Sequence, residues 1–335
     1  MPDEGSPDQR STLSRLEDEL LGGPRTLTIA QVAERAHASV EDVRLTWQAL
    51  GLPTTAPEAV AFTEQDARLI ALTVEARDRY EVSERTAVSL VRSAGHTADR
   101  LAVWQAEAIV EHLVERYELD DVTARLLLLD RLPELVPLLE AQLVHAWRRH
   151  MAVSAARFAA EFALSHVTES SDELPLARAV GFADIVSFTV RTAALTSHDL
   201  AEFVQAFESQ ARDVVTSAGG RVVKTIGDAV LFVADDAATG ADVALGLADV
   251  LGSGSASPVR IGLVWGRVLS RFGDVFGPSV NLAARLTAEA HPGTVFLDEA
   301  TAATLAGEFE VEVQPPRAMA GLGTLRPVRL VRRAR

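Results

Sequence analysis

The chain has 335 residues, a hydrophobic fraction of 48%, a charged fraction of 24% and a formal net charge of −15. That length allows two domains of ordinary size, and the composition is that of a folded chain. The acidic balance disfavours nucleic acid and anionic membranes as partners, and the absence of cysteine excludes disulfides and thiolate metal sites. Any metal would rest on carboxylate, carbonyl or imidazole, and carboxylates favour Mg²⁺ or Mn²⁺. Met1 to Arg10 is polar and lacks the apolar core of a signal peptide. No apolar run is long enough to cross a bilayer, so a cytoplasmic protein is expected. The basic end, Arg332, Arg333 and Arg335, reads as solvated.

In chain order, residues 1–24 read as a polar arm, with an amphipathic stretch from Leu13 to Leu21 stopped by Gly22-Gly23-Pro24. Residues 25–166 carry apolar side chains at three- and four-residue spacing, as in Ile109, Leu113 and Val114. Thr63 followed by Glu64 and Asp66 marks a helix start. Gly51, Pro53, Pro57, Gly95, Pro133 and Pro137 punctuate the run, which predicts an all-helical domain of roughly seven to ten helices. Its last helix, 144–166, carries His145, His150 and His166. The polar stretch 167–175, ending in Pro175, reads as a linker.

From 176 to 335 short strand-like and helical runs alternate. Strands are predicted at Leu176–Phe182, Arg221–Lys224, Val230–Val233, Val259–Leu269 and Thr294–Leu297. Helices are predicted at Leu200–Ala218, Ala237–Leu251 and Val280–Ala290. That mixture predicts an α+β domain, a largely antiparallel sheet with helices packed on it.

Three segments carry the chemistry. In Phe182-Ala183-Asp184-Ile185-Val186-Ser187-Phe188-Thr189, a carboxylate stands where an apolar strand ends. In Lys224-Thr225-Ile226-Gly227-Asp228-Ala229-Val230, a Gly-Asp pair between two apolar runs marks a hairpin. In Gly273-Asp274-Val275-Phe276-Gly277-Pro278-Ser279-Val280-Asn281-Leu282-Ala283-Ala284-Arg285, Asn281 and Arg285 are four apart and share a helix face. Taken singly, each segment reads as well as a turn, a cap or a surface pair.

As an ordered set, the three resemble the class III nucleotide cyclases over Leu176 to Val331. The resemblance implies an adenylate cyclase catalytic domain with a ferredoxin-like core, preceded by an all-helical regulatory domain as in actinobacterial relatives. It implies that Asp184 and Asp228 hold two Mg²⁺ or Mn²⁺ ions. It implies that Lys224 and Asp274 read adenine, one donating to N1 and the other accepting from the N6 amine. Asn281 and Arg285 are implied to steady the transition state. The family's division of labour implies a homodimer, each copy completing the other's ATP site. Ser187 stands where the family commonly has glycine, and the bulky Trp265 suggests interface or pocket packing. A further basic residue for the terminal phosphates is expected between Arg317 and Arg326, with none singled out.

In the helical half, Thr28 to Ala36 followed by Val40 to Trp47 resembles a helix-turn-helix. Its second helix is as acidic as basic, so DNA binding is not expected. Histidine changes charge near neutrality, so His145, His150 and His166 are candidates for a pH response, and the apolar helices leave room for a lipid. Two alternatives remain: a DNA-binding or signalling module with a degenerate cyclase domain, and a guanylate cyclase. The complete set of six residues opposes the first. The Lys224 and Asp274 pair opposes the second, and no diguanylate signature is present.

Overall fold

The computed structural model describes residues 7–165, 176–193, 195–252, 258–319, 321 and 323–333. The chain divides into two compact units, Met1–Glu169 and Ser170–Arg335. The linker expected at 167–175 lies outside the described residues, and so does His166.

The first unit is helical. Helix α1 (Pro7–Leu20) falls within the expected polar arm. Helices α2 (Ile29–Arg35) and α3 (Val40–Ala49) each open on a capping box, Thr28 with Gln31 and Ser39 with Asp42. Helix α4 (Glu64–Arg79) opens the same way on Thr63 and Asp66. Leu27, Val32, Val43, Phe62 and Ile70 form their common core. Helices α5 (Glu84–Tyr117) and α6 (Asp121–Ser165) run for 34 and 45 residues and pack as a hairpin through Val110, Leu113, Ala124 and Leu128.

Among the described residues five helices, α2 to α6, thus stand in 25–166 where seven to ten were expected. Gly95 does not end α5, because it is there for contact: a Cβ at that position would meet the Leu50 carbonyl oxygen at 2.5 Å. Pro133 and Pro137 lie inside α6. Each removes a backbone donor, yet the helix continues past both. Among the described residues no helix is long and apolar enough to cross a membrane.

The second unit is α+β. Its elements are β1 (Leu176–Ile185), α7 (Phe188–Thr192), α8 (Ser197–Ser217), β2 (Arg221–Ile226), β3 (Ala229–Ala234), α9 (Ala237–Gly252), β4 (Val259–Arg271) and β5 (Asp274–Phe276). They continue with α10 (Pro278–Glu289), β6 (Val295–Leu297), α11 (Glu299–Leu305), β7 (Glu310–Val313), β8 (Arg317–Met319), β9 (Gly323–Leu325) and β10 (Val328–Val331). The main sheet runs β2-β3-β1-β4-β6-β10-β7, with β5 paired to β4. Every pair is antiparallel except β4 with β6. β1–α8–β2 and β3–α9–β4 interlock as two split βαβ units, the ferredoxin-like core.

Side chains alternate across this sheet. Ala179, Ala183, Ile261 and Leu263 face a core shared with α8 and α9. Val180, Leu231, Val264 and Phe296 face the opposite way, against Ala283 and Leu286 of α10. Two glycines on β4 let α10 approach: a Cβ on Gly262 would lie 2.3 Å from the Ala283 carbonyl oxygen, and one on Gly266 would lie 2.3 Å from Ser279 Oγ.

Candidate active site

Asp184 is the next-to-last residue of β1, on the α10 face by alternation from Val180. It pairs with Ala229 of β3 on one side and Arg260 of β4 on the other. The Arg260 guanidinium holds it, with Nε at 2.7 Å and Nη2 at 2.6 Å from Asp184 Oδ2. Arg260 Nη1 also donates to the Ala288 carbonyl at 3.3 Å, near the end of α10. Asp228 follows Gly227 in the two-residue turn joining β2 to β3, and the Gly227 φ of 62° is one that glycine adopts without strain. The Ile185 amide donates to the Asp228 carbonyl at 3.1 Å, which ties this turn to the end of β1. Burial raises the Asp184 pKa. Arg260 opposes that rise, and the neighbouring Asp228 charge adds to it.

Lys224 reaches the same face through an irregularity. The β2–β3 register shifts between Val222 and Lys224, so Lys224 pairs with Leu231, a residue of the α10-side core. Without the extra residue Lys224 would point to the other face. Asp274 is placed by the β4–β5 hairpin, whose two turn residues, Phe272 and Gly273, have φ of 57° and 77°. Lys224 and Asp274 form an ion pair across 50 residues of sequence. Asp274 Oδ1 also accepts from the Val275 amide at 2.8 Å.

Asn281 and Arg285 sit on α10, which buries Ala283, Leu286 and Thr287 against the sheet and leaves Asn281 and Arg285 exposed. Among the described residues neither side chain makes a hydrogen bond or ion pair, so they meet neither Asp184 nor Asp228 of their own chain. The chain therefore brings Asp184 to Asp228 and Lys224 to Asp274, and holds Asn281 and Arg285 outward.

Residues 177–330 match the family described as adenylate and guanylate cyclase catalytic domain. An adenylate cyclase of Glutamicibacter nicotianae is 40% identical over 332 residues, covering 96% of this chain and 82% of its own. This chain belongs to the class III adenylate cyclases. An adenylate cyclase of Streptomyces coelicolor is 39% identical over 310 residues, with 91% and 78% of the two chains covered. One of Streptomyces griseus is 38% identical over 297 residues, with 87% and 71% covered. Such coverage means that the likeness to these cyclases extends through the helical unit.

Arg260 is the cyclase residue that sequence reasoning missed. Its signal was a lone cation in the apolar run Val259-Arg260-Ile261, and only the register shows that it meets Asp184. Arg317, in the stretch where a phosphate-binding cation was expected, is committed elsewhere: Nη1 donates to the Glu289 carbonyl at 2.9 Å and Nη2 lies 2.8 Å from His291 Nε2. Trp265 is placed by alternation against the α8–α9 core, on the face away from Asp184. Its bulk belongs to that packing and not to the pocket. Ser187 takes the left-handed φ of 60° that explains the family's glycine there. His145 and His150 are exposed on α6.

Among the described residues no three His, Asp or Glu side chains cluster as a metal site. Asp184 and Asp228 nonetheless fit divalent cations. Mg²⁺ is commonly held by one or two carboxylates with substrate phosphates completing its shell. The repulsion that helps raise the Asp184 pKa is what a cation beside both would relieve.

Proposed function

We propose that this chain converts ATP to 3′,5′-cyclic AMP and pyrophosphate at two equivalent sites, each shared between two copies. The observation that carries this reading is the outward placement of Asn281 and Arg285, apart from the carboxylates of their own chain. A second copy facing the sheet would supply them. In each site Asp184 and Asp228 of one copy would hold Mg²⁺ or Mn²⁺. When bound, these ions favour ionisation of the ribose 3′-hydroxyl and neutralise phosphate charge. Lys224 and Asp274 of the other copy would exchange their mutual ion pair for the adenine edge, Lys224 donating to N1 and Asp274 accepting from the amine. Guanine presents the reverse pattern.

The 3′-oxygen then attacks the α-phosphorus, a new P–O bond forms, and the bond to the pyrophosphate oxygen breaks. Arg285 offers its donors to the α-phosphoryl oxygens as charge builds there, and Asn281 aligns the ribose. Were Asp184 to hold a cation, Arg260, which now pairs with it, would be free to meet phosphate. ATP as substrate places the reaction in the cytoplasm. The test is a product assay with ATP and with GTP. Wild type yields cyclic AMP from ATP, and Asp228→Ala yields almost none. Cyclic GMP as the main product would contradict the reading.

The helical unit is proposed to modulate the cyclase in response to pH or a bound lipid. The support is that His145 and His150 stand exposed on α6, the last described helix before the catalytic unit in sequence. Replacing His145, His150 and His166 by glutamine should flatten the activity profile between about pH 5.5 and 8. An unchanged profile removes the histidines from the account.

A further inference from the structure

Helix α10 has no cation of its own in its last turn, and its final carbonyls are met from other elements. Arg260 of β4 donates to the Ala288 carbonyl at 3.3 Å. Arg317 of β8 donates from Nη1 to the Glu289 carbonyl at 2.9 Å, and the same nitrogen lies 3.5 Å from the Glu289 carboxylate. Cations at this end also complement the helix dipole.

Arg317 is held in its turn. Its Nη2 stands 2.8 Å from His291 Nε2, and its guanidinium carbon lies 5.6 Å from the centre of the Phe296 ring. His291 meets that ring nearly at right angles, centroids 5.8 Å apart. Phe296 is fully buried in the core that α10 completes with Ala283 and Leu286. β8 and β9 form a two-stranded sheet of their own, so main-sheet hydrogen bonds do not fix β8. Met319 anchors it in the core, and Arg317 ties it to the helix.

We propose that Arg317 is a positioning residue for cyclisation: joined to the Glu289 carbonyl and to His291, it fixes the end of α10 and so the directions of Asn281 and Arg285. The proposal rests on the roles given to those two residues above. Arg285 precedes Glu289 by one turn, about 5.4 Å along the axis, so a helix end that shifts carries Arg285 with it. Groups aimed at a transition state lose rate steeply on small misplacement.

The contact also has a pH signature. A guanidinium only donates, so His291 Nε2 accepts and the ring is neutral, with its proton on Nδ1. An imidazolium would have no lone pair to offer and would repel Arg317. Among the described residues the charged side chains that bear on His291 are Arg317 from β8 and, through it, Glu289 from α10; β6 adds the Phe296 ring. Acid should therefore loosen the tie.

The experiment uses the full-length chain. Arg317→Met keeps an apolar stem over Phe296 and removes both donors. It should lower kcat about tenfold with KM within about twofold, and Arg317→Lys should recover part of the loss. Without nucleotide, amides 286–290 of Arg317→Met should exchange with deuterium about tenfold faster than in wild type. His291→Gln keeps an acceptor that does not titrate. Between about pH 7.5 and 5.5 it should lose about threefold less kcat than wild type, and none of that difference should persist in the Arg317→Met background. Asp184 and the histidines of the helical unit are common to each pair compared, so their titration cancels. Unchanged kcat for Arg317→Met would overturn the proposal. So would a His291→Gln profile that superimposes on wild type, or an effect as large without Arg317 as with it. Full turnover by Arg285→Ala would sink the catalytic reading and not the clamp, which amide exchange reports by itself.

Discussion

Burial raises the affinity of the Asp184 carboxyl for a proton, while the Arg260 hydrogen bond and charge pull it down and Asp228 pushes it up again. The net effect is a pKa above the ordinary 3.8. If the ionised carboxylate is what turns over ATP, activity is present above that raised pKa and is lost as pH falls through it. Arg260→Met removes the lowering influence, so the acidic limb should move to higher pH and turnover should drop. A pH–rate profile of both proteins checks this, and an acidic limb unmoved by the substitution would count against the assignment of Asp184. At this scale much of the site was legible: Asp184, Asp228, Lys224, Asp274, Asn281 and Arg285 stand in recognisable segments. Arg260 was not, because its importance lies in a cross-strand partner 76 residues away. The side of the sheet that Trp265 occupies was not legible, because bulk alone does not say which face a residue takes.

Among elements, α10 does the positioning, and its seat on β4 is set by the absence of side chains. At Gly262 the obstacles to a Cβ are backbone atoms, the Ala283 oxygen at 2.3 Å and the Thr287 nitrogen at 2.5 Å, which cannot rotate aside. Gly262→Ala should lever α10 outward and destabilise the fold by about 1–3 kcal/mol, typical of overpacking. Cyclic AMP formation should fall further than stability accounts for, because α10 carries Asn281 and Arg285. Denaturant melts and turnover measured together decide it; a variant with both unchanged would show that the helix has room. The strands and helices with strong periodicity were legible from sequence, including β1, β3, α9 and β4. The three-residue β5 and the bulge that turns Lys224 were not, since both depend on pairing with a distant strand. The helix count was overestimated because Gly95 and two prolines look like stops until their packing is known.

For the whole molecule, the division of labour is the point that matters. One copy holds Asn281 and Arg285 away from its own Asp184 and Asp228, so on the proposed reading a lone chain should turn over ATP hardly at all. The two-unit organisation was legible as a change of texture near Pro175. The most direct measurement mixes two inactive chains, Asp184→Ala and Arg285→Ala, and assays cyclic AMP. Each chain alone should be nearly silent. In an equimolar mixture half of the dimers are mixed, and one of the two sites in each is intact, so about a quarter of wild-type activity should return. A mixture as silent as its components would contradict the shared site.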